Sequence, residues 1–352
     1  MQFELTKHRN VKVILCFFEY DPKTLNEFKI SFPQAKWSRS KKTWFLPDTT
    51  LYRKRLNIQI PEIGDSIIPL LYENNKAEFV KFRNALQQKV FSPNTIRLYL
   101  YEFAHLLKIL KQHPVQNLTT TRLNSYFLYC IKTLKYPEAH VYSHMNAIKS
   151  YFSLVCNRAE IFDLVIKPKA TKKLPQVLNA SEVKKLFLAT ENLKHVLILK
   201  IAYGMGLRVS EIVSLKLIHI DVERMQVLIA NSKGKKDRYV NFPKSILPLY
   251  HDYLKMYQPR NYLFEGQFAE QYNVRSAQAI FQNAMKKAGI EKKIGIHGLR
   301  HSYATHLLEA GTDMVFIQKL LGHSHIKTTE IYAKVSNRIL SQVISPLDSL
   351  NE

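Results

Sequence analysis

Near the C-terminus runs Ile296-His297-Gly298-Leu299-Arg300-His301-Ser302-Tyr303-Ala304-Thr305-His306, followed by Leu320-Leu321-Gly322-His323-Ser324 and then Thr328-Thr329-Glu330-Ile331-Tyr332. Imidazoles, a guanidinium and a phenol fall within one short region. Arginine binds phosphate oxygens bidentately and stays charged at any cellular pH, while histidine moves a proton near neutrality. That set of side chains points to chemistry on a phosphodiester. His297 stands three residues before Arg300, hence on the same face of a helical turn. Gly311 and Gly322 stand where C-terminal helix caps belong, so the region reads as helices joined by tight turns.

The whole chain supports a polyanionic partner. Lys and Arg number 52 against 28 acidic residues, a formal net charge of +24 over 352 residues. Neutralising phosphates releases condensed counterions, which drives such a chain onto nucleic acid. A membrane surface is the competing partner, but the apolar run Val13 to Phe18 is far too short to span a bilayer. Nothing resembles a cleavable signal. Cys16, Cys130 and Cys156 are widely spaced, without metal-ligand or redox pairing. They read as buried thiols of a cytoplasmic, nucleoid-associated protein.

Working outward, Leu178-Asn179-Ala180-Ser181-Glu182-Val183 opens a helix with an N-cap and a glutamate three residues later. Val196 to Tyr203 continues helically, Gly204 and Gly206 interrupt, and a new helix begins near Arg208. Met225 to Phe242 reads as a hairpin whose loop is Ser232-Lys233-Gly234-Lys235-Lys236-Asp237. Upstream, Lys167-Pro168-Lys169-Ala170-Thr171-Lys172-Lys173-Leu174-Pro175 is a basic stretch bracketed by prolines that cannot continue a helix. It serves as a linker, 162–177, that either tracks a phosphate backbone or is a solvated hinge. Helices are expected at Lys76 to Val90, from Ser92-Pro93 through Leu110, at Thr119 to Thr133 and at Pro137 to Cys156, a four-helix domain over 73–161. Residues 1–72 alternate short apolar stretches with Pro22, Pro33 and Pro47, the texture of a small mixed α/β module. There Trp37 and Trp44 flank Arg39, Lys41 and Lys42. Basic residues among aromatics can bind nucleic acid, but core tryptophans around a solvated turn are the stronger reading.

The chain resembles the tyrosine recombinases, the phage-integrase family, over residues 76 to 345. Four pieces in order carry the resemblance: Gly206-Leu207-Arg208-Val209-Ser210-Glu211, the Ser232-Lys233-Gly234 loop, His297-Gly298-Leu299-Arg300-His301, and Leu321-Gly322-His323 with Tyr332 nine residues on. The resemblance implies a mainly α fold with a small β-sheet in the catalytic domain (178–352), preceded by a four-helix core-binding domain and the N-terminal module. Cutting DNA without metal or nucleotide needs a nucleophile that keeps the phosphoryl group covalently for rejoining, and the Tyr332 phenol suits that role.

As the family implies, Arg208 and Arg300 would hold the non-bridging phosphate oxygens, the main catalytic demand of phosphoryl transfer. Lys233 would protonate the departing 5′-oxygen, with Lys235 and Lys236 as rivals. His297 would accept the Tyr332 proton or bond the scissile phosphate, and His323 would bond a non-bridging oxygen. Glu211, the only acid in its piece, would orient the helix or buttress Arg208. His301 and His306 fall outside the family's motif positions and carry no role in it. A zinc site in this cluster lacks a spaced His or Cys partner set, so no metal or cofactor is expected. The implied activity is site-specific recombination of double-stranded DNA through a 3′-phosphotyrosine, by four protomers on two duplexes and through a Holliday junction. A type IB topoisomerase and a non-catalytic DNA binder remain the alternatives. Ile339, Leu340, Val343, Ile344 and Leu347 are apolar at helical spacing in the tail 336–352; the resemblance implies that this tail packs on a neighbouring protomer, and folding back on its own domain is the alternative.

Overall fold

Strands β1 (Gln2–His8) and β2 (Val11–Phe17) pair antiparallel, and β3 (Lys36–Ser38) and β4 (Thr43–Pro47) complete a sheet of order β1-β2-β4-β3. The computed structural model describes residues 1–8, 11–169, 174–230, 237–266 and 271–333. In the inner strand β2, Val13, Ile14, Leu15 and Cys16 are all buried, the continuous apolar run of a strand covered on both faces. Helix α1 (Pro22–Ser31) begins where the Asp21 carboxylate accepts the Thr24 N–H at 2.9 Å and proline occupies the first turn. Its Phe28 meets Ile14, Cys16, Leu46 and Tyr52, the last from α2 (Thr50–Arg55), in a small core. Trp44 is half-buried against Phe28, but Trp37 is 52% exposed. The core expectation fails for Trp37 because three-residue β3 is an edge strand, where the side chain meets the Trp44 ring edge to face at 5.8 Å and leaves about half its surface to solvent.

Four helices follow: α3 (Glu73–Gln88), α4 (Pro93–Leu110), α5 (Thr120–Lys132) and α6 (Glu138–Leu154). The Ser92 hydroxyl caps α4 by accepting the Thr95 N–H. Ile96, Leu100, Phe103 and Leu107 recur on one face and are buried. Phe103 lies 5.0 Å from Phe82 and 4.4 Å from Tyr151 between ring centroids. Burying such a ring stabilises the fold by about 1.5–3 kcal/mol. Buried Asn75 donates to the carbonyls of Lys111 and His113 and accepts the Val115 N–H, so it satisfies the backbone that turns from α4 toward α5.

Leu71 belongs to this helical core, Ile63, Ile67 and Ile68 pack against it, and Arg83 of α3 is ion-paired with Glu62 and Asp65. Residues 63–71, before the boundary expected at residue 72, thus pack with the helices, whereas Ile58 packs with the sheet.

The chain divides into two compact units, 1–172 and 173–352, at the basic proline-bracketed stretch. The second unit opens with α7 (Ala180–Leu188), where Asn179 accepts the Glu182 N–H and Glu182 accepts the Asn179 N–H, a reciprocal capping box. Apolar α8 (Leu193–Gly204) runs through the centre of its core. Short α9 (Val209–Val213) leads to β5 (Ile220–Asp221), β6 (Gln226–Ile229) and β7 (Arg238–Asn241), an antiparallel sheet in that order. Then come α10 (Leu247–Tyr257), α11 (Val274–Lys287), α12 (His297–Glu309), α13 (Met314–Leu321) and α14 (Glu330–Ala333). Among the described residues the chain is mostly helical, with two small sheets. The tail from residue 336 lies outside the described residues.

Candidate active site

Arg208 is positioned by a turn that only glycine allows. After α8 the chain passes through Gly206 at φ +58°, and a Cβ there would collide with the Tyr303 ring. The turn delivers Arg208 to the N-cap of α9, where Glu211 accepts both its backbone N–H at 2.9 Å and its guanidinium at 2.8 Å. Glu211 is buried and also receives a two-point bond from Arg238 of β7, Nη1 to Oε1 at 2.9 Å and Nη2 to Oε2 at 2.8 Å. Nε of Arg238 donates to the Leu320 carbonyl at the end of α13. Burial pushes the Glu211 carboxyl up, but the bonds and charge of Arg238, then of Arg208, outweigh it and bring it down to about 2. Glu211 thus buttresses two arginines, not Arg208 alone.

Arg300, on α12, is 1% exposed. It donates through Nη1 to the Gly206 carbonyl at 2.7 Å and through Nη2 to the Leu321 carbonyl at 2.6 Å. Its Nη2 also lies 3.1 Å from Nε2 of His323, and Nη1 lies 3.9 Å from Glu211. Burial, then the Arg208 charge, lowers its pKa to about 10, so it stays cationic at neutrality. His323 follows Gly322, which caps α13 in the left-handed region at φ +64°. The Nδ1 of His323 lies 3.0 Å from the buried Thr329 hydroxyl, which leaves Nε2 turned to Arg300. Burial and the guanidiniums of Arg300 and Arg208 bring this imidazole down to about 4.

Tyr332 is 1% exposed in a cluster with Ala304, Ile317 and Leu321. Its ring stacks near His323 at 6.3 Å, and its hydroxyl is 3.2 Å from Nδ1 of His301. Burial raises the phenol's pKa while Arg300 and Arg208 oppose the rise. Burial, with His297 and Arg300 beside it, lowers His301 to about 4, a neutral acceptor for the phenol proton. The His297 ring is solvent-accessible yet close enough to protein to be partly desolvated. That desolvation and the charges of Arg300 and Arg208 depress its pKa, and it meets His301 edge to face at 4.6 Å.

Arg208, His297, Arg300, His323 and Tyr332 thus lie in one connected set. Lys233, like Lys235 and Lys236, lies outside the described residues. His301 occupies no motif position, yet among the described residues it is the imidazole hydrogen-bonded to Tyr332; its place four residues after His297, on the same helical face, is the signal that finds it. Arg238 carried no signal of its own. His306 bonds the Tyr203 hydroxyl at 2.9 Å and stays apart from Tyr332. Three guanidiniums around one carboxylate leave the cluster cationic, beside neutral imidazoles and a phenol: the equipment for holding and attacking a phosphodiester.

The phage integrase family model matches residues 176–338. Tyrosine recombinase XerA of Pyrococcus horikoshii is 35% identical over 269 residues, 75% of this chain and 91% of the relative. The chain belongs to the tyrosine recombinase family. Tyrosine recombinase XerD of Listeria monocytogenes, at 30% identity over 73% of this chain and 93% of its own length, agrees. The crystal structure of XerH bound to palindromic difH substrate shares the fold of this recombinase with a TM-score of 0.58 at 23% identity, over 71% of this chain and 78% of that one. A lambda integrase fragment bound to a core site does so with 0.59 at 17% identity, over 72% and 96%.

Proposed function

We propose that this site-specific DNA recombinase cleaves one strand of its target by attack of the Tyr332 phenol on the scissile phosphorus, forming a 3′-phosphotyrosine and releasing the 5′-hydroxyl. The observation that carries the reading is the convergence of Tyr332, His301, His323, Arg300 and Arg208 in one hydrogen-bonded and electrostatic cluster. The phenol proton passes to a neutral imidazole, His301 or His297, as the P–O bond forms. Arg208 and Arg300 neutralise the non-bridging oxygens, and His323 hydrogen-bonds one of them in the tautomer that carries the ring proton on Nε2, once the phosphate takes the place of that nitrogen's contact with Arg300. Lys233 supplies a proton to the departing 5′-oxygen. The phosphodiester energy is kept in the aryl ester, so a 5′-hydroxyl from a partner strand can reverse the step and reseal.

Four protomers on two duplexes exchange strands through a Holliday junction, the tail from residue 336 docks on a neighbour, and the protein acts on the cell's nucleoid. Residues 73–161 grip the duplex as a core-binding domain, with exposed Arg97, Lys108 and Lys149 offering charge to phosphates. The stretch 162–177 links this domain to the catalytic unit, and the N-terminal module adds an accessory contact.

The test traps covalent complexes between the full-length protein and fragmented genomic DNA on a denaturing gel and sequences what is attached. The wild type should yield adducts at one recurring sequence. Tyr332→Phe should bind the recovered site normally and yield none; adducts persisting in that variant would assign the nucleophile to another tyrosine.

A further inference from the structure

Among the described residues, one group of three potential metal ligands has its donor atoms within 4.8 Å of one another, and it lies far along the chain from the recombination motifs: Glu102 on α4 with His140 and His144 on α6. The histidines are four residues apart, on one face of α6. Each brings its Nε2 to a different oxygen of the same carboxylate, His144 to Oε2 at 2.9 Å and His140 to Oε1 at 3.5 Å. Glu102 and His144 are 2% and 1% exposed, yet Oε2 of Glu102 and Nε2 of His144 make no hydrogen bond of acceptable geometry. Two buried polar atoms in near contact without a bond are a costly arrangement, unless something between them satisfies both.

The surroundings orient the imidazole for that purpose. The Nδ1 of His144 lies 3.2 Å from the Tyr126 hydroxyl, and that hydroxyl lies 2.8 Å from Nδ1 of His105. If Nδ1–H of His144 donates to Tyr126 and Tyr126 donates to His105, the Nε2 lone pair of His144 faces the carboxylate. Two acceptors then confront each other, a conflict that either a shared proton or a bound cation resolves, and the absence of a well-formed hydrogen bond between them favours the cation. Fixing one imidazole nitrogen through an outer hydrogen bond is how proteins prepare the other as a ligand. Tyr136 completes the shell, with its ring parallel to His144 within 8° at 5.5 Å and 4.3 Å from His140.

We propose that Glu102, His140 and His144 form a structural divalent-metal site that pins α4 to α6, with zinc-class ions preferred. Two imidazoles and a carboxylate suit zinc better than magnesium or calcium, which favour oxygen ligands. Metal–ligand bonds of about 2.0–2.2 Å place tetrahedral ligand atoms about 3.3–3.6 Å apart, and donor atoms all within 4.8 Å of one another reach that spacing by side-chain adjustment alone. His140, partly exposed, marks the side from which an ion enters. The site is independent of the phosphotyrosine chemistry.

The test uses full-length protein purified without a polyhistidine tag and stripped with a chelator. Titration with CoCl2 should develop visible absorption that saturates at one equivalent and is displaced by ZnCl2, and ZnCl2 should raise the melting temperature. His140→Ala, at the exposed edge, should fold and bind zinc about 100-fold or more weakly, since losing a ligand exceeds the 10–100-fold typical of losing an outer partner. Glu102→Gln should behave alike, while His251→Ala, an exposed histidine in the other unit, should retain the signal. If His140→Ala binds cobalt as the wild type does, or if zinc leaves the wild-type melting temperature unchanged, the proposal is overturned. The cluster is then an imidazolium–carboxylate ion pair.

Discussion

At the residue scale, the hydrogen bond between the Tyr332 hydroxyl and Nδ1 of His301 divides two roles that the motif assigns to His297 alone. His301, brought down to about 4, is neutral at pH 7 and faces the phenol, whereas His297 is the solvent-accessible imidazole. His301→Ala should therefore slow covalent adduct formation by about 100-fold, the lower end for a positioned proton acceptor, with DNA affinity unchanged. A rate within twofold of the wild type would return the proton to His297. A pH dependence of stability follows from the same burial. An unperturbed imidazole titrates near 6.5, and His301 and His323 titrate at about 4 in the folded chain. Between those values the unfolded chain binds more protons, so stability held above pH 6.5 is lost as pH falls toward 4. Melting temperatures from pH 7 to 4.5 should fall, and His323→Gln should fall less steeply. An identical slope in the variant would mean that other groups carry the effect.

At the element scale, Glu211 ties together strand, helix and turn. It caps α9 at Arg208, bonds Arg238 of β7 through both oxygens, and through Arg238 reaches the end of α13, where His323 begins its turn. Removing one partner of a buried charged set leaves the others uncompensated, at about 3–5 kcal/mol. Glu211→Gln should lower unfolding free energy by about that much, measured by urea denaturation, and should also reduce adduct formation, since Arg208 and Arg300, the arginines proposed to hold the phosphate, both lean on the carboxylate. Stability reduced with cleavage unchanged would separate the buttress from the site. The sequence is informative at this scale where signals are local. Asn179 with Glu182, Ser92 with Pro93, and Gly322 state the helix ends in the residues beside them, and the hairpin of β6 and β7 is legible from its apolar flanks. What escapes is pairing across distance. Arg238 meets Glu211 across 27 positions and His301 meets Tyr332 across 31, and no spacing rule connects such partners. Trp37 escapes because exposure depends on whether a strand is an edge, a property of the sheet and not of the residue.

At the scale of the whole molecule, the sheet at the N-terminus has its own core of Ile14, Cys16, Phe28, Leu46 and Tyr52, which shares no residue with the helical core containing Leu71, Phe79 and Leu100. Removing residues 1–59 therefore leaves the ion pairs of Arg83 with Glu62 and Asp65 in place, whereas cutting at residue 72 would strip Leu71 and its neighbours from the helices. The shorter deletion is thus a clean experiment on a module that the family match beginning at residue 176 does not reach. If the module neutralises phosphates, the 60–352 protein should keep its cleavage position and its melting behaviour but bind more weakly. The slope of log affinity against log salt should then shrink by about 0.9 for each phosphate that the module no longer neutralises. Footprints should shorten at the flanks in step with that slope. A salt slope identical to that of the full chain, with an unshortened footprint, would show that the basic residues around exposed Trp37 face solvent or another protein and that the polyanion is held by the remaining chain.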